Sequence, residues 1–206
     1  RKSKGKTPIL LTGFNRRFSP HIQEIKECLK NRAAPMIISY RMNAGFKPLD
    51  NWVHNDEGGG RNIGEACHIY DLFTYLTDSE VKNVQAMSIH PRKSSYSPRD
   101  NFIATISFSD GSIASLIYTA LGNSAQSKEL MDIYFDGKIV HLDDYKETKY
   151  LGSSQKSKRS KRSEKGHIEE LASFGQSIKF AGEWPIPFWQ QAQAMRIAFE
   201  VEKSLR

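Results

Sequence analysis

Cysteine is scarce in this sequence: Cys28 and Cys67 are the only two among 206 residues. Two cysteines cannot build a disulfide framework, so a reduced, cytoplasmic setting is expected. Long apolar runs are missing as well. No stretch approaches the roughly 20 residues that span a bilayer. The basic start, Arg1 to Lys6, is not followed by the apolar core of a secretion signal. No Gly-x-Gly-x-x-Gly follows a strand-like segment and no P-loop sequence occurs, so no dinucleotide cradle is expected in this chain. The cysteines lie in no Cys-x-x-Cys, and no His-x-x-x-His is present, so no metal site is expected. There is no internal repeat. Membrane-spanning and cystine-stapled classes are excluded.

What is abundant is positive charge, at 30 Lys and Arg against 23 Asp and Glu. Most of the excess is local. Arg1, Lys2, Lys4 and Lys6 carry four units, and the stretch 152–165, which alternates Ser with Lys and Arg, carries a net five. The rest of the chain sums to −2. A nucleic-acid surface spreads basic residues over a folded face with aromatics between them. The 152–165 stretch has no aromatic, so it reads as a solvated, mobile loop, and no nucleic-acid or membrane partner is expected.

Local patterning sets the order of elements. Ile9–Phe14 is a short apolar run suited to a strand. Ser19-Pro20 supplies an N-cap and a first-turn proline for a helix over 20–31. Met36–Met42 reads as a strand, and 44–60 is loop, closed by Gly58-Gly59-Gly60. Helical period returns over Asn62–Leu76. Six alternating segments follow: 81–90, 101–109, 112–121, 130–135, 138–142 and 148–151. Asp110-Gly111 and Asp136-Gly137 mark tight turns between them. Two helices close the chain. The first, His167–Ala181, is expected to bury Ile168, Leu171, Phe174 and Ile178; the second, Phe188–Leu205, is opened by Pro185 and Pro187. Successive strands joined by tight turns predict an α+β domain, an open and mainly antiparallel sheet with helices on one face.

The densest polar constellation runs from Gly58 to Asp71. On a helix Glu65 and His68 are three residues apart and share a face, with Asp71 close to the same stripe. An imidazole beside a carboxylate can act as general acid or base near neutral pH. An ordinary surface Glu–His pair would show the same spacing. Asn15-Arg16-Arg17 sits where strand gives way to capped helix. There arginines either contact a hydroxylated or carboxylated ligand or simply hold the junction. Arg41 and Asn43 end the next strand. Trp52 and His54 form a wall or pack the loop. The glycine triplet, after a polar loop, reads as a flexible entry into the helix.

In their order, several motifs resemble the Gfo/Idh/MocA family of sugar oxidoreductases. They are Gly13-Phe-Asn-Arg-Arg-Phe-Ser-Pro20, Tyr40-Arg-Met-Asn-Ala-Gly45, Trp52-Val-His54 and Gly58 through Asp71. Lys128-Glu129, Lys165-Gly-His-Ile-Glu-Glu-Leu171 and Pro185-Ile-Pro-Phe188 complete the set. The likeness covers residues 9–205 and is strongest to the branch found fused to zinc-type alcohol dehydrogenase-like modules. It implies a C-terminal substrate-binding and oligomerisation domain over 9–206, with 1–8 left from a linker to an absent Rossmann domain. That domain would bind NAD or NADP, so no cofactor-binding residue is assigned here. It further implies that the chain alone is inactive and that a homo-oligomer forms through the open sheet face.

The resemblance also implies site residues. His68 matches the helix histidine that exchanges a proton with the substrate hydroxyl. Its usual helper is an Asp four residues earlier. Here that place holds Gly64, and the acid is Glu65, rotated by about 100° around the helix. Asn15, Arg16, Arg41, Asn43 and Trp52 are carried as substrate-binding residues. The implied function is oxidoreduction of a secondary hydroxyl on a sugar, sugar derivative or cyclitol. The alternative is a non-catalytic oligomerisation or protein-interaction module. Convergence of His68, Glu65, Arg16 and Arg41 in one cleft separates the two.

Overall fold

A computed structural model describes residues 8–91, 95–180 and 183–205. Eight strands form one sheet in the order β2-β3-β4-β1-β5-β6-β7-β8. They are β1 (Ile37–Asn43), β2 (Val81–Ser88), β3 (Phe102–Phe108), β4 (Ile113–Thr119), β5 (Glu129–Phe135), β6 (Lys138–Asp143), β7 (Glu147–Leu151) and β8 (Lys158–Arg159). Every pairing is antiparallel except β1 with β4, where Tyr40 lies opposite Leu116 in a parallel register. The β3–β4 and β5–β6 hairpins form around the two Asp-Gly turns, and β1 is inserted between them.

Period-two alternation sends Ile38, Tyr40 and Met42 of β1, Ala104 and Ile106 of β3, and Met131 and Ile133 of β5 to the buried face. Three helices cover that face: α1 (Pro20–Leu29), α2 (Cys67–Thr77) and α4 (Phe188–Ser204). Ile22 and Ile25 of α1, Leu72 and Phe73 of α2, and Ile197 and Val201 of α4 are fully buried against it. Each such side chain contributes about 1.5–3 kcal/mol by leaving water. The opposite face stays uncovered, with Ile37, Met87, Ile103, Ile113 and Tyr134 exposed. The α+β architecture is the one expected.

Three local expectations need correction. Residues 8–14 belong to no ladder among the described residues, so the strand expected at Ile9–Phe14 does not form there. The 152–165 stretch is not a free loop throughout. Lys158–Arg159 form β8 against β7, Lys158 pairs with Glu24 at 2.6 Å, and Ser163 donates to the Asp144 carbonyl at 2.6 Å. Helix α3 (His167–Lys179) forms, but of its residues only Glu170 is buried. Ile168, Leu171 and Ile178 point to solvent. The buried side of the sheet is already filled by α1, α2 and α4, which leaves α3 on the outside. Ala181, the expected helix end, lies outside the described residues.

Candidate active site

The site is built where four segments meet: the 3-10 turn Asn15–Phe18, the start of α2, the start of β5 and the start of α3. The expected helix over 62–76 begins with a π-helical turn, Asn62–Ala66, before α2 proper. Such a turn is wider than an α-turn and is frequent at functional sites. It sets Glu65 and His68 on a geometry that simple α-helical spacing does not describe.

His68 lies in the first turn of α2, its ring edge-on to Phe14 at 5.6 Å between centroids. Its Nδ1 is enclosed and has no hydrogen-bond partner among the described residues. Burial, and then the nearby Arg16 guanidinium, push its pKa down to about 4, against smaller opposing pulls from Glu129 and Glu65. At neutral pH the imidazole is therefore uncharged and ready to accept a proton.

Arg16 does not reach out as a free ligand arm. It donates to Glu129 through Nε at 2.8 Å and Nη2 at 3.2 Å. Glu129 also accepts from the Tyr40 hydroxyl at 2.5 Å and from Lys165 Nζ at 2.6 Å, and Tyr40 and Tyr145 hydroxyls meet at 3.0 Å. Burial alone would raise the Glu129 carboxyl, but Arg16 and then Lys165 hold it at about 2. Asn15 is structural too, donating from Nδ2 to the Lys165 carbonyl at 2.7 Å. Asn15 and Arg16 thus tie the 3-10 turn to β5 and to the segment entering α3.

Glu65 belongs to a second cluster. It accepts from Lys128 Nζ at 2.6 Å, from Arg61 Nη2 at 3.2 Å and from the Tyr118 hydroxyl in a short bond. Burial favours the neutral acid, yet Lys128, Tyr118 and Arg61 together hold Glu65 at about 2. No hydrogen bond joins it to His68 among the described residues. Its charge reaches the imidazole only through space.

The remaining expected residues spread apart. Arg41 lies on the uncovered face of the sheet, opposite in alternation to Tyr40 and Met42, and donates to the Ser127 carbonyl at 3.0 Å. It does not converge with His68. Asn43 donates to the Asn123 carbonyl at 2.8 Å, and its Oδ1 is buried without a partner among the described residues. It lines an open polar cleft of ≈ 700 Å³ together with Lys128, Gly122 and Lys146. Trp52 is 62% exposed, and His54 lies 3.5 Å from Asp100. Asp71 is occupied by Arg17, which donates to it at 2.6 and 2.9 Å. Tyr40, Tyr118 and Tyr145 complete the two clusters but carry no signal in the sequence beyond strand alternation and a turn.

The glycine triplet serves packing. A Cβ on Gly58 would sit 2.4 Å from the Trp52 carbonyl oxygen, and Gly59 and Gly60 adopt φ of +67° and +80°. This run does not join a strand to a helix, so it does not fit the phosphates of a dinucleotide. No group of three His, Cys, Asp or Glu among the described residues could hold a metal ion.

A family model for the GFO/IDH/MocA C-terminal domain matches residues 22–137. The chain belongs to this family. Among curated relatives, the uncharacterized oxidoreductase YrbE of Bacillus subtilis is 25% identical over 95% of this chain and 60% of its own length. The myo-inositol 2-dehydrogenase of Thermotoga maritima is 21% identical over 96% of this chain and 62% of its own. The chain therefore spans about 60% of the length of the curated relatives it matches. In fold it is similar to a levoglucosan dehydrogenase solved with NADH and levoglucosan. That match has a TM-score of 0.73 and 18% identity, and covers 93% of this chain and 63% of the other. The two curated relatives are named as an oxidoreductase and a cyclitol dehydrogenase.

Proposed function

We propose that residues 9–206 are the substrate-binding and oligomerisation domain of a nicotinamide-dependent oxidoreductase, with 1–8 linking to its nucleotide-binding domain. The enzyme acts on a secondary hydroxyl of a sugar, sugar derivative or cyclitol, as the names of the relatives suggest. Hydride acceptance falls to NAD or NADP held outside these residues, because the chain offers no dinucleotide cradle. What this chain supplies is proton handling and substrate positioning. On this reading it is inactive alone and belongs to the branch fused to zinc-type alcohol dehydrogenase-like modules.

Of the four residues whose convergence favours an enzyme, Arg41 lies apart and Glu65 is taken up by other partners, so the reading is carried by His68: a buried imidazole whose Nδ1 has no hydrogen-bond partner among the described residues, kept uncharged by burial and then by Arg16. A neutral imidazole takes the hydroxyl proton as the alcohol is oxidised and returns it in the reverse direction. Glu65 tunes the ring by its charge. The Asn43 cleft, with its unpaired amide oxygen and polar lining, suits a ligand rich in hydroxyl donors. The uncovered sheet face, with Ile103, Ile113 and Ile117 exposed, suits a second copy of the chain. No helix of the described residues is long and apolar enough to cross a membrane. The two cysteines are free thiols, which suits the reducing cytoplasm as the setting of this proposal.

The test is made on the complete gene product, assayed with NAD and NADP against a panel of sugars and cyclitols. His68→Ala is expected to lower turnover by roughly two to four orders of magnitude with the active substrate. An unchanged rate removes His68 from the chemistry.

A further inference from the structure

Lys128 is fixed at its backbone and again at its ammonium. Its carbonyl accepts from the Asn43 N–H at 2.7 Å, and its neighbour Glu129 is locked by Arg16 and Lys165. The side chain reaches Glu65, to which Nζ donates at 2.6 Å. An ammonium carries three N–H groups. Glu65 takes one, no other acceptor takes a second among the described residues, and the side chain is still 41% exposed. It lines the open polar cleft of ≈ 700 Å³, together with Asn43 and Lys146. A cation held in one place with N–H groups to spare is a ready contact for a ligand.

Charge says what kind of ligand. The acids around Lys128 are already matched by cations. Glu65 is shared between Lys128 and Arg61, and Asp144 pairs with Lys146 at 3.1 Å and stands 3.8 Å from Lys165. A second cleft of ≈ 410 Å³ adjoins the first through Ser127, Asp144 and Lys146, and Arg159 and Lys161 stand on its wall. Neither of these two has an acid partner among the described residues. Of the other acids there, Glu147 pairs with Lys149 at 3.1 Å, and Asp143 is the one without a cation. Part of the basic run 152–165 is thus carried to this cleft by the pairing of β8 with β7. Surplus positive charge along a continuous polar cleft selects an oxyanion.

We propose that Lys128, with Lys146 and the Arg159–Lys161 wall behind it, binds an oxyanion on the substrate, which is therefore an acidic sugar derivative bearing a carboxylate or a phosphate. This rests on the function proposed above and narrows it. The placement agrees with that function. Glu65 lies three residues before His68 and its charge acts on that ring, so the carboxylate that holds Lys128 also borders the proton-transfer residue. One ligand then spans both groups. Its acidic group meets Lys128, and its secondary hydroxyl is thereby oriented towards His68.

The complete protein is assayed with NAD and NADP on matched pairs of substrates. These are D-glucose with D-glucuronate and with glucose 6-phosphate, D-galactose with D-galacturonate, and myo-inositol with inositol 1-phosphate. In at least one pair kcat/KM is expected to be about tenfold or more higher for the acidic member, as one charge-assisted hydrogen bond supplies. Whether a uronate or a phosphate wins identifies the oxyanion. Lys128→Met is expected to lower kcat/KM for that substrate about tenfold to a hundredfold, chiefly through KM, and to leave its neutral partner unchanged. Lys128→Arg, which keeps the cation, retains the preference for the acidic member. Lys146→Met, made at a side chain 53% exposed so that folding is not at stake, is expected to weaken the same preference. Neutral members used as well as acidic ones, or variants that lower both members of a pair equally, overturn this inference alone. No turnover on any pair with either nucleotide removes the functional reading and this inference with it.

Discussion

The guanidinium of Arg16 and the carboxylate of Glu129, 113 positions apart, form a two-pronged ion pair at 2.8 and 3.2 Å with both side chains almost entirely buried. The pair sits between the turn that follows the entering segment and the strand at the middle of the sheet. Its arginine is also the cation that, after burial itself, does most to keep His68 uncharged. Arg16 therefore anchors the turn through Nε and Nη2 and acts on His68 through its field.

Glu129→Gln leaves Arg16 buried without its counter-charge and weakens the bonds from Tyr40 and Lys165. A loss of about 3–5 kcal/mol is expected, as for a buried pair broken from one side. Chemical denaturation measures it. Replacing both members, Arg16→Met with Glu129→Leu, is expected to cost less than the two single changes summed.

His68 is expected to titrate near pH 4 rather than at its ordinary 6.5, which NMR of the ring protons reads directly. Between those values the unfolded chain binds a proton that the folded chain does not, so stability rises with pH across that window and is lost as pH falls. His68→Gln is expected to flatten the slope there. Glu65 and Glu129 are held at about 2, below their ordinary 4.5. Their contribution is present above 4.5 and is lost as pH falls towards 2, so it persists in the His68→Gln protein.

Gly166→Ala tests the joint between the site and α3. The residue has φ of +86°, and its added Cβ would meet backbone atoms of Asn15 and Ser19 at 2.4 and 2.5 Å. Backbone cannot yield as a side chain does. A cost of about 1–3 kcal/mol or more is expected from strain at such a position, read as a lower melting temperature. A melting curve identical to that of the parent protein would show that this approach is not a constraint.

Arg41→Ala provides the contrast. Arg41 lies on the uncovered face, and among the described residues its side chain makes one hydrogen bond, to the Ser127 carbonyl. Its removal is expected to leave the His68 titration midpoint unchanged and to alter stability within about ±0.5 kcal/mol. A shift of the His68 midpoint would place Arg41 in the site after all.

Strands and helices were legible because each is written in a local period. Tyr40 and Met42 alternate with Ile37 and Arg41 across β1, and Ile22, Ile25 and Leu29 recur on one side of α1. The same alternation could have placed Arg41 on the outer face, away from His68; proximity along the chain to Asn43 obscured that. The Lys128-Glu129 and Lys165-Gly166-His167 motifs stood out only by family likeness. Nothing local in them says that Lys128 pairs with Glu65, or that Lys165 and Arg16 share Glu129.

By itself, then, the sequence determined most of the order of elements and the α+β class, which rest on neighbours within a few residues, while the histidine on the second helix was singled out by family likeness. Tertiary structure alone decided that Glu65 is taken up by Lys128, Tyr118 and Arg61, and that Glu129 gathers Arg16, Tyr40 and Lys165. It also decided that the apolar stripe of α3 faces outward. The physical reason is common to all three. A charge in low dielectric is settled by whichever counter-charge the fold brings within bonding distance. Likewise, an apolar stripe is buried only where other helices have left room, and here α1, α2 and α4 had already filled the sheet.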